Sequence, residues 1–334
     1  MPFLAPSGIL NRRGFFGEVA QAQEFSPSDI SNLQLWLRSD YGITTEEISY
    51  ISQIAISGCS PSTSNGTYIG SNTSFYDENT GNNIYYEDGA WYLYDSSEQI
   101  VTFANFSSLD DTGAWEVFAG SSFGSATNSY TNFTGVTEWL DKSDNSFNFT
   151  GVASGLSTNQ INSYPAVYFD GSGYLTSPSD LLDNLSGLSF FFVWKVYNVG
   201  SNLGLFGSSN YSDIEIISNP MAQIRIRNED YDSSFMSNED WFDLDSGYSI
   251  SSFIAENENG AAYKNGSVVI GTDGANIELP TGSGIAYDLG RYAYPSYTLY
   301  SKFYLAEFII YGKKLNATEL GQVHNYLNTR YAIY

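Results

Sequence analysis

The stretch that decides the fold reads Lys302-Phe-Tyr-Leu-Ala-Glu-Phe-Ile-Ile-Tyr311, then Gly312-Lys-Lys-Leu-Asn316, then Ala317-Thr-Glu-Leu-Gly-Gln-Val-His-Asn-Tyr-Leu-Asn-Thr-Arg-Tyr-Ala-Ile-Tyr334. Its first ten residues are a dense run of β-branched and aromatic side chains, which predicts a buried strand. Asn316 stands three residues before Glu319, the spacing of a capping box with Asn as N-cap. Leu320, Val323 and Leu327 recur at helical intervals on one face. The stretch therefore predicts a core strand followed directly by one short helix.

The rest of the chain has the composition of a β protein. Its 334 residues include 27 Tyr, 22 Phe and 31 Gly. Aromatic and β-branched residues suit half-buried pleated surfaces, and Gly with abundant Asn, Ser and Asp suits turns. Asp88-Gly89 and Asn265-Gly266 are hairpin signals of the tight two-residue kind. We therefore predict an all-β, two-sheet antiparallel jelly-roll sandwich with a C-terminal helix.

Charge and cysteine content restrict the function classes. The formal net charge is −24, with only 13 Lys and Arg, and nucleic-acid binding needs clustered basic residues. Membrane insertion is not expected either, because no run approaches the roughly 18–20 apolar residues of a membrane span. The single cysteine, Cys59, excludes an internal disulfide framework. An acidic surface suits solubility, and it could also recruit Ca²⁺, a cation that takes oxygen ligands.

Three further motifs accompany the 302–334 stretch. They are Ser26-Pro-Ser-Asp-Ile-Ser-Asn-Leu-Gln-Leu-Trp-Leu-Arg-Ser-Asp40, Val136-Thr-Glu-Trp-Leu-Asp-Lys-Ser-Asp-Asn145 and Tyr164-Pro-Ala-Val-Tyr-Phe-Asp-Gly-Ser-Gly-Tyr-Leu175. Together these segments resemble laminin-G-like, concanavalin-type domains, from the opening strand to the closing strand and helix. The resemblance implies a sandwich that both ends of the domain close together, and it implies no particular catalytic activity.

The second motif stands far along the chain from the first, which indicates an insertion. No Lys or Arg occurs between Arg38 and Lys142, so the charge pattern shifts abruptly in this region. We predict a small inserted β module at residues 51–125. The jelly-roll domain would then be discontinuous, made of residues 26–50 and 126–334, and residues 1–25 would form an extended N-terminal arm.

The N-terminal arm is apolar but too short to bury its own side chains. Its candidate anchoring residues are Phe3, Leu4, Ile9, Leu10, Arg12, Arg13, Phe15 and Phe16. An arm of this kind is expected to dock on a neighbouring subunit or on a larger particle.

Catalytic motifs are missing from the sequence, and we predict no catalytic residue. Glycan-cleaving relatives of the fold carry acids as Glu-x-Asp-x-x-Glu on one strand, where alternation places them on one face. No such string occurs here. The one histidine, His324, lies on the predicted terminal helix, where a buried and hydrogen-bonded structural role is the expected one.

Two binding sites are candidates from the residues alone. Asp141, Asp144 and Asn145 form an oxygen-rich loop after a strand, and the two interpretations are a Ca²⁺ site and a plain Asx turn. The aromatic residues Tyr231, Phe235 and Trp241 stand among acids and asparagines, and they could stack on sugar rings. Packing in the core or at its rim is the alternative explanation for these three aromatics.

These observations favour a non-enzymatic virion structural protein of a tailed phage, displayed on the capsid, neck or tail through the arm. Its role would be decoration or host-surface adhesion with weak glycan binding. Its partners would be other virion proteins, copies of itself, with a trimer as one option, and a host-surface glycan. The alternative is a bacterial cell-surface adhesin or carbohydrate-binding module. A glycan-active hydrolase is disfavoured by the missing carboxylate array.

Overall fold

The protein is an all-β sandwich with a C-terminal helix, as predicted. The computed structural model describes residues 24–57, 66–71, 74–79, 82–87, 90–94, 100–104, 116–117, 125–183, 185–197, 203–208, 214–218, 222–226, 247–256, 259–273, 284–294 and 297–334. Within these ranges, no helix combines the length and the apolar character that crossing a membrane requires.

The described chain contains one 3-10 turn, Pro27–Asp29, one α-helix and 24 strands. In chain order the strands and the helix are β1 (Leu33–Arg38), β2 (Ile43–Ser57), β3 (Gly66–Ser71), β4 (Ser74–Tyr76), β5 (Asn83–Glu87), β6 (Ala90–Tyr94), β7 (Ile100–Ala104), β8 (Glu116–Val117), β9 (Ser125–Trp139), β10 (Phe149–Ala153), β11 (Gly155–Ile161), β12 (Tyr164–Asp170), β13 (Tyr174–Thr176), β14 (Leu188–Val196), β15 (Leu203–Ser208), β16 (Ile214–Ser218), β17 (Ala222–Ile226), β18 (Ser249–Glu256), β19 (Asn259–Lys264), β20 (Ser267–Asp273), β21 (Tyr287–Leu289), β22 (Arg291–Tyr294), β23 (Tyr297–Tyr300), β24 (Lys302–Tyr311) and α1 (Ala317–Tyr331).

The strand predicted from residues 302–311 lies inside the smaller sheet, whose order is β11-β12-β24-β14-β18-β19-β20. β1 also pairs with β24, opposite residues 307–311, while β12 pairs opposite residues 302–305. All these pairings are antiparallel. The first and last described strands are therefore hydrogen-bonded neighbours, which is the closure by both ends that the resemblance implied.

The larger sheet has the order β17-β16-β15-β21-β13-β10-β9-β2-β3-β4-β5-β6-β7-β8. β2 and β9 form an antiparallel ribbon of fifteen residues each, and the predicted limits of the insert fall inside β2 and at the first residue of β9. The strands between them, β3 to β8, extend the larger sheet by way of β2. The described part of residues 51–125 therefore continues the larger sheet, and its assignment as a separate module stays a prediction.

Both predicted two-residue hairpins occur. β5 and β6 pair with Glu87 opposite Ala90, so the connection spans residues 88–89, which lie outside the described residues. β19 and β20 pair with Lys264 opposite Ser267, and between them Asn265 has φ 50° and Gly266 has φ 76°. Positive φ at both central residues is what a type I′ turn requires, which explains why Asn-Gly stands there.

The core lies between the inner faces of the two sheets. The smaller sheet contributes large aromatic residues from β14 and β24, and the larger sheet contributes Trp139, Phe206 and Leu289. Phe192 stacks on Phe308 with ring centroids 4.3 Å apart. This stacking fills the centre of the sandwich with large aromatic side chains, and their burial is a main source of its stability.

The helix α1 covers part of the outer face of the smaller sheet. The predicted capping box is present, because the Asn316 side chain accepts from the amides of Thr318 and Glu319, and Glu319 accepts from the Asn316 amide. The predicted apolar face is buried against outward-facing residues of the sheet, in a cluster that includes Leu320, Val323, Leu327, Phe191, Val193, Ile309 and Tyr311. The sandwich thus has a second apolar layer beneath the helix.

Candidate functional site

Two groups of predicted site residues lie outside the described residues. These are the anchoring residues of the arm, Phe3, Leu4, Ile9, Leu10, Arg12, Arg13, Phe15 and Phe16, and the aromatics Tyr231, Phe235 and Trp241. Both assignments stay predictions. The described body begins at Glu24, and the ring of Phe25 packs edge-on against Tyr326 of α1 at 6.2 Å. The described chain therefore begins beside the terminal helix.

The loop predicted to bind calcium lies within the described residues, and the carboxylate of Asp141 already accepts hydrogen bonds from the protein. Asp141 Oδ1 accepts from the amides of Trp36 and Ser143, and its Oδ2 accepts from Ser143 Oγ and the Phe147 amide, at 2.5–3.1 Å. The Asn145 amide group donates to two carbonyls of β1. The loop therefore contains the Asx turn, and a cation at Asp141 would have to displace protein donors. No cluster of three or more His, Cys, Asp or Glu suited to a metal occurs among the described residues. Calcium binding by Asp141, Asp144 and Asn145 stays a prediction.

The histidine has the structural surroundings that the sequence predicted. His324 Nε2 lies 2.8 Å from Ser252 Oγ, beneath α1, and the rings of Phe191 and Tyr263 meet the imidazole edge-on. Ser252 is fully buried. Burial lowers the pKa of His324 from its ordinary 6.5 to about 4, because the charged form would lose its water. A substrate could reach His324 and Ser252 only if α1 moved away from the sheet.

The buried histidine makes stability depend on pH. The unfolded chain binds a proton at His324 near pH 6.5 and the folded chain only near pH 4, so stability is lost as the pH falls between these values. We expect wild type to lose about 3 kcal/mol more than His324→Gln between pH 7 and pH 4, from urea unfolding at several pH values. The carboxyls of Asp40, Asp170 and Glu319, whose pKa values are lowered, and that of Glu307, whose pKa is raised, titrate in both proteins. Parallel pH profiles for the two proteins would contradict the assignment.

A buried carboxylate joins the helix to the sheet. Glu307 has no exposed surface, and it accepts from Trp36 Nε1 at 2.6 Å and from the hydroxyls of Tyr326 at 2.9 Å and Tyr331 at 2.8 Å. Arg330 Nε lies 3.7 Å from its Oε2. Burial raises the pKa of Glu307, and these donors oppose that shift. We call this arrangement the Glu307 cage.

The Glu307 cage continues to the surface through Arg330. The guanidinium of Arg330 pairs with Asp40 and lies 3.9 Å from the ring centroid of Tyr164. Asp40 is also held by Arg38, through Nε at 3.0 Å and Nη2 at 2.9 Å. The two arginines outweigh the effect of burial and lower the pKa of Asp40, so its carboxylate is charged and fixed in orientation.

Asp40 opens onto a cleft of about 420 Å³ between the β1–β2 turn and the β11–β12 hairpin, which we call the Asp40 cleft. The turn is specified by Gly42, which has φ +63° and no room for a Cβ, since one would lie 2.5 Å from Leu140 Cβ. This geometry places Tyr41 at the surface with 42% of it exposed. The cleft is lined by Ser39, Asp40, Tyr41, Gly42, Ile43, Leu156, Thr158, Asn159, Ser163 and Pro165.

The Asp40 cleft has the chemistry of a small polar-ligand site. One aromatic ring and several aliphatic groups stand beside a carboxylate, an amide and hydroxyls. A sugar presents the same combination, with apolar C–H faces and many hydroxyls. Among the described lining residues Asp40 supplies the one carboxylate, and glycoside hydrolysis uses a pair that flanks the bond.

Sequence reasoning missed this cleft because its residues lie more than a hundred positions apart. Thr158 and Asn159 come from β11, whereas Tyr41 follows β1. The one local signal was Tyr41-Gly42 soon after a predicted strand. This pair indicates an aromatic side chain exposed on a tight turn.

No protein-family model matches the chain, and no curated protein is similar to it in sequence. Solved structures share part of the fold. One, titled for the dependence of botulinum neurotoxin type C entry on two ganglioside molecules, has 14% identity and a TM-score of 0.44 over 58% of this chain and 51% of that one. Trypanosoma rangeli sialidase with difluorosialic acid has 12% identity and a TM-score of 0.41, covering 56% and 31% of the two chains.

A third similar structure is domain 4 of an extracellular arabinanase from Geobacillus stearothermophilus, in complex with arabinotriose. It has 16% identity and a TM-score of 0.40, covering 55% of this chain and 92% of that domain. The chain spans about half the length of the botulinum structure, and at these identities the likeness concerns the fold alone.

Proposed function

We propose that this protein is a non-enzymatic display domain that binds glycans in the Asp40 cleft. The observation that carries the proposal is the half-exposed ring of Tyr41 beside a carboxylate that two arginines hold in place. A pyranose ring can stack on the tyrosine while its hydroxyls donate to Asp40 and bond with Asn159. One tyrosine ring and a few polar groups offer a sugar limited contact, so we expect weak binding that becomes useful through several copies.

A glycan array probed with the wild-type protein tests this proposal. We expect binding to a defined group of neutral glycans and a loss of about tenfold or more for Tyr41→Ala, since the stacking surface is removed. Tyr76→Ala is the matched control, because Tyr76 is also exposed, at 47%, but stands on β4. No binding to any neutral glycan, or equal binding of neutral glycans by Tyr41→Ala, would overturn the proposal.

We further propose that the domain is carried on the virion of a tailed phage through its N-terminal arm. The support is the sequence: an apolar arm, an acidic surface and an insert within a laminin-G-like body. Oligomers, with a trimer as one option, would give the weak site its avidity. A bacterial cell-surface adhesin remains the second candidate, supported by the same cleft.

Removing residues 1–23 tests the anchoring role. This deletion keeps Phe25 against Tyr326, so the body should retain its thermal unfolding midpoint. We expect the truncated protein to be missing from purified particles while it still binds glycans. Incorporation at full occupancy would refute the anchoring role and leave the glycan proposal untouched.

A further inference from the structure

The outer face of the smaller sheet has a second half beside the helix-covered half. Strand alternation points the side chains of this half in the same direction as the side chains beneath α1. On β14, Lys195 stands two residues after Val193 and four after Phe191, and on β12, Tyr168 stands two residues after Ala166. The apolar residues thus give way to tyrosines and lysines along each strand. The members of this tyrosine–lysine patch are Tyr168, Lys195, Tyr197, Tyr248, Lys302 and Tyr304.

The patch is an ordered cross-strand arrangement. Tyr168, Tyr304 and Lys195 are direct neighbours across β12, β24 and β14. The rings of Tyr168 and Tyr304 stack with centroids 4.6 Å apart and an interplanar angle of 27°, and Tyr197 meets Tyr304 edge-on at 6.0 Å. All these side chains are partly exposed. The result is a fixed aromatic surface rather than a set of independent side chains.

Two lysines frame this surface without a carboxylate partner. Lys195 Nζ lies 5.1 Å and Lys302 Nζ 5.7 Å from the ring centroid of Tyr197. Neither makes an ion pair within the described residues, although Arg38, Arg291, Lys313 and Arg330 all do. Asp170 stands opposite Lys302 in the ladder, but its carboxylate accepts from the Ser172 amide and hydroxyl.

A buried hydroxyl at the patch also lacks a partner. Tyr248 Oη is inaccessible to solvent and makes no hydrogen bond within the described part of the chain. Burial raises the pKa of Tyr248, and its side chain packs against the same outer cluster as that of Tyr304. A buried polar atom without a partner costs free energy, and a bound ligand could supply the missing bond after a small movement.

We propose that the tyrosine–lysine patch binds an acidic oligosaccharide, one with carboxylate- or sulfate-bearing pyranose rings, at a site separate from the Asp40 cleft. In a chain of net charge −24, two ammonium groups beside one tyrosine ring, neither of them ion-paired within the described residues, attract an anion where most of the surface repels it. The flat faces of the stacked tyrosines can pack against the sugar rings, while the lysines attract the acidic groups that the rings carry. The inference deepens the proposed glycan function but depends on different residues.

Isothermal titration of the full chain at low ionic strength tests the patch. The probes are a hyaluronan hexasaccharide, a heparin hexasaccharide and neutral maltohexaose. We expect the acidic sugars to bind with an affinity that falls as salt is added, and maltohexaose to be excluded from the patch. The paired substitution Lys195→Gln and Lys302→Gln should weaken acidic binding by about tenfold or more. Lys195→Gln alone should give a smaller loss.

The controls separate this site from general electrostatics and from the cleft. Lys264→Gln with Lys314→Gln changes the net charge equally and should leave the affinity unchanged, as should Tyr41→Ala. Equal losses in both lysine pairs, or no binding of either acidic sugar, would overturn the proposal. Loss in Tyr41→Ala but not in the patch variant would assign the acidic sugar to the cleft. Binding of polyglutamate or anionic vesicles with the same affinity would also overturn it.

Discussion

Replacing Glu307 with alanine is expected to lower the free energy of unfolding by about 3–5 kcal/mol. The substitution leaves Trp36 Nε1 and the hydroxyls of Tyr326 and Tyr331 buried without their acceptor. It also removes the buried carboxylate that lies 3.7 Å from Arg330 Nε. Each orphaned donor carries its own desolvation penalty, so the loss exceeds that of one ordinary hydrogen bond. Urea unfolding at pH 7 measures the change.

Two variants serve as controls for Glu307→Ala. Glu307→Gln keeps the shape and one acceptor oxygen, so we expect an intermediate loss of about 1–3 kcal/mol. Glu319→Gln weakens the pair with Lys313 on the partly exposed first turn of α1, and we expect less than about 1 kcal/mol. A Glu307→Ala protein within 1 kcal/mol of wild type would show that the cage does not hold the helix in place.

Replacing Phe308 with alanine is expected to cost about 3–5 kcal/mol through a cavity at the centre of the sandwich. Phe308 is fully buried, stacks on Phe192 at 4.3 Å and Phe190 at 6.0 Å, and meets Phe206 of the opposite sheet edge-on at 5.4 Å. Its ring therefore touches both layers, and neither sheet can move in to fill the space without breaking its own ladder. Chemical denaturation gives the size of the loss.

The matched substitution Phe308→Leu keeps most of the volume and should cost about 1–2 kcal/mol. A larger cost for Phe308→Leu than for Phe308→Ala would mean that the site is strained rather than tightly packed. Equal and small costs for both would contradict the two-layer packing described here.

The predictions that held were those that depend on local sequence. The strand at 302–311, the cap at Asn316 and the Asn265-Gly266 turn all follow from short-range rules, because each depends on residues within a few positions of one another. The closure of the sandwich by β1 and β24 followed from the resemblance instead.

The Glu307 cage could not be predicted because it depends on an irregularity. The β14–β24 register shifts between Val193 and Trp194, so that Ala306 and Glu307 both face outward and Phe308 turns inward. Strict alternation would have placed Glu307 in the core. The donor at the shortest distance, Trp36, lies 271 positions away, and no local pattern connects it with Glu307.

The two proposed binding surfaces differ in how visible they are in the sequence. The tyrosine–lysine patch can be traced in the sequence, since Lys302 and Tyr304 stand two apart on a strand and so share a face, and Lys195 and Tyr197 have the same spacing at the end of β14. The Asp40 cleft has almost none, because a turn and a distant hairpin form it. To place the turn beside the hairpin one must know the order of the strands in the sheets, and alternating sequence patterns do not give that order.

A crystal structure of the protein with the neutral glycan that binds best on the array tests the proposal that the Asp40 cleft holds a sugar. We predict a pyranose ring stacked on Tyr41, with hydroxyls within hydrogen-bonding distance of Asp40 and Asn159. A ligand bound elsewhere on the molecule, with the cleft filled by solvent alone, would contradict the claim.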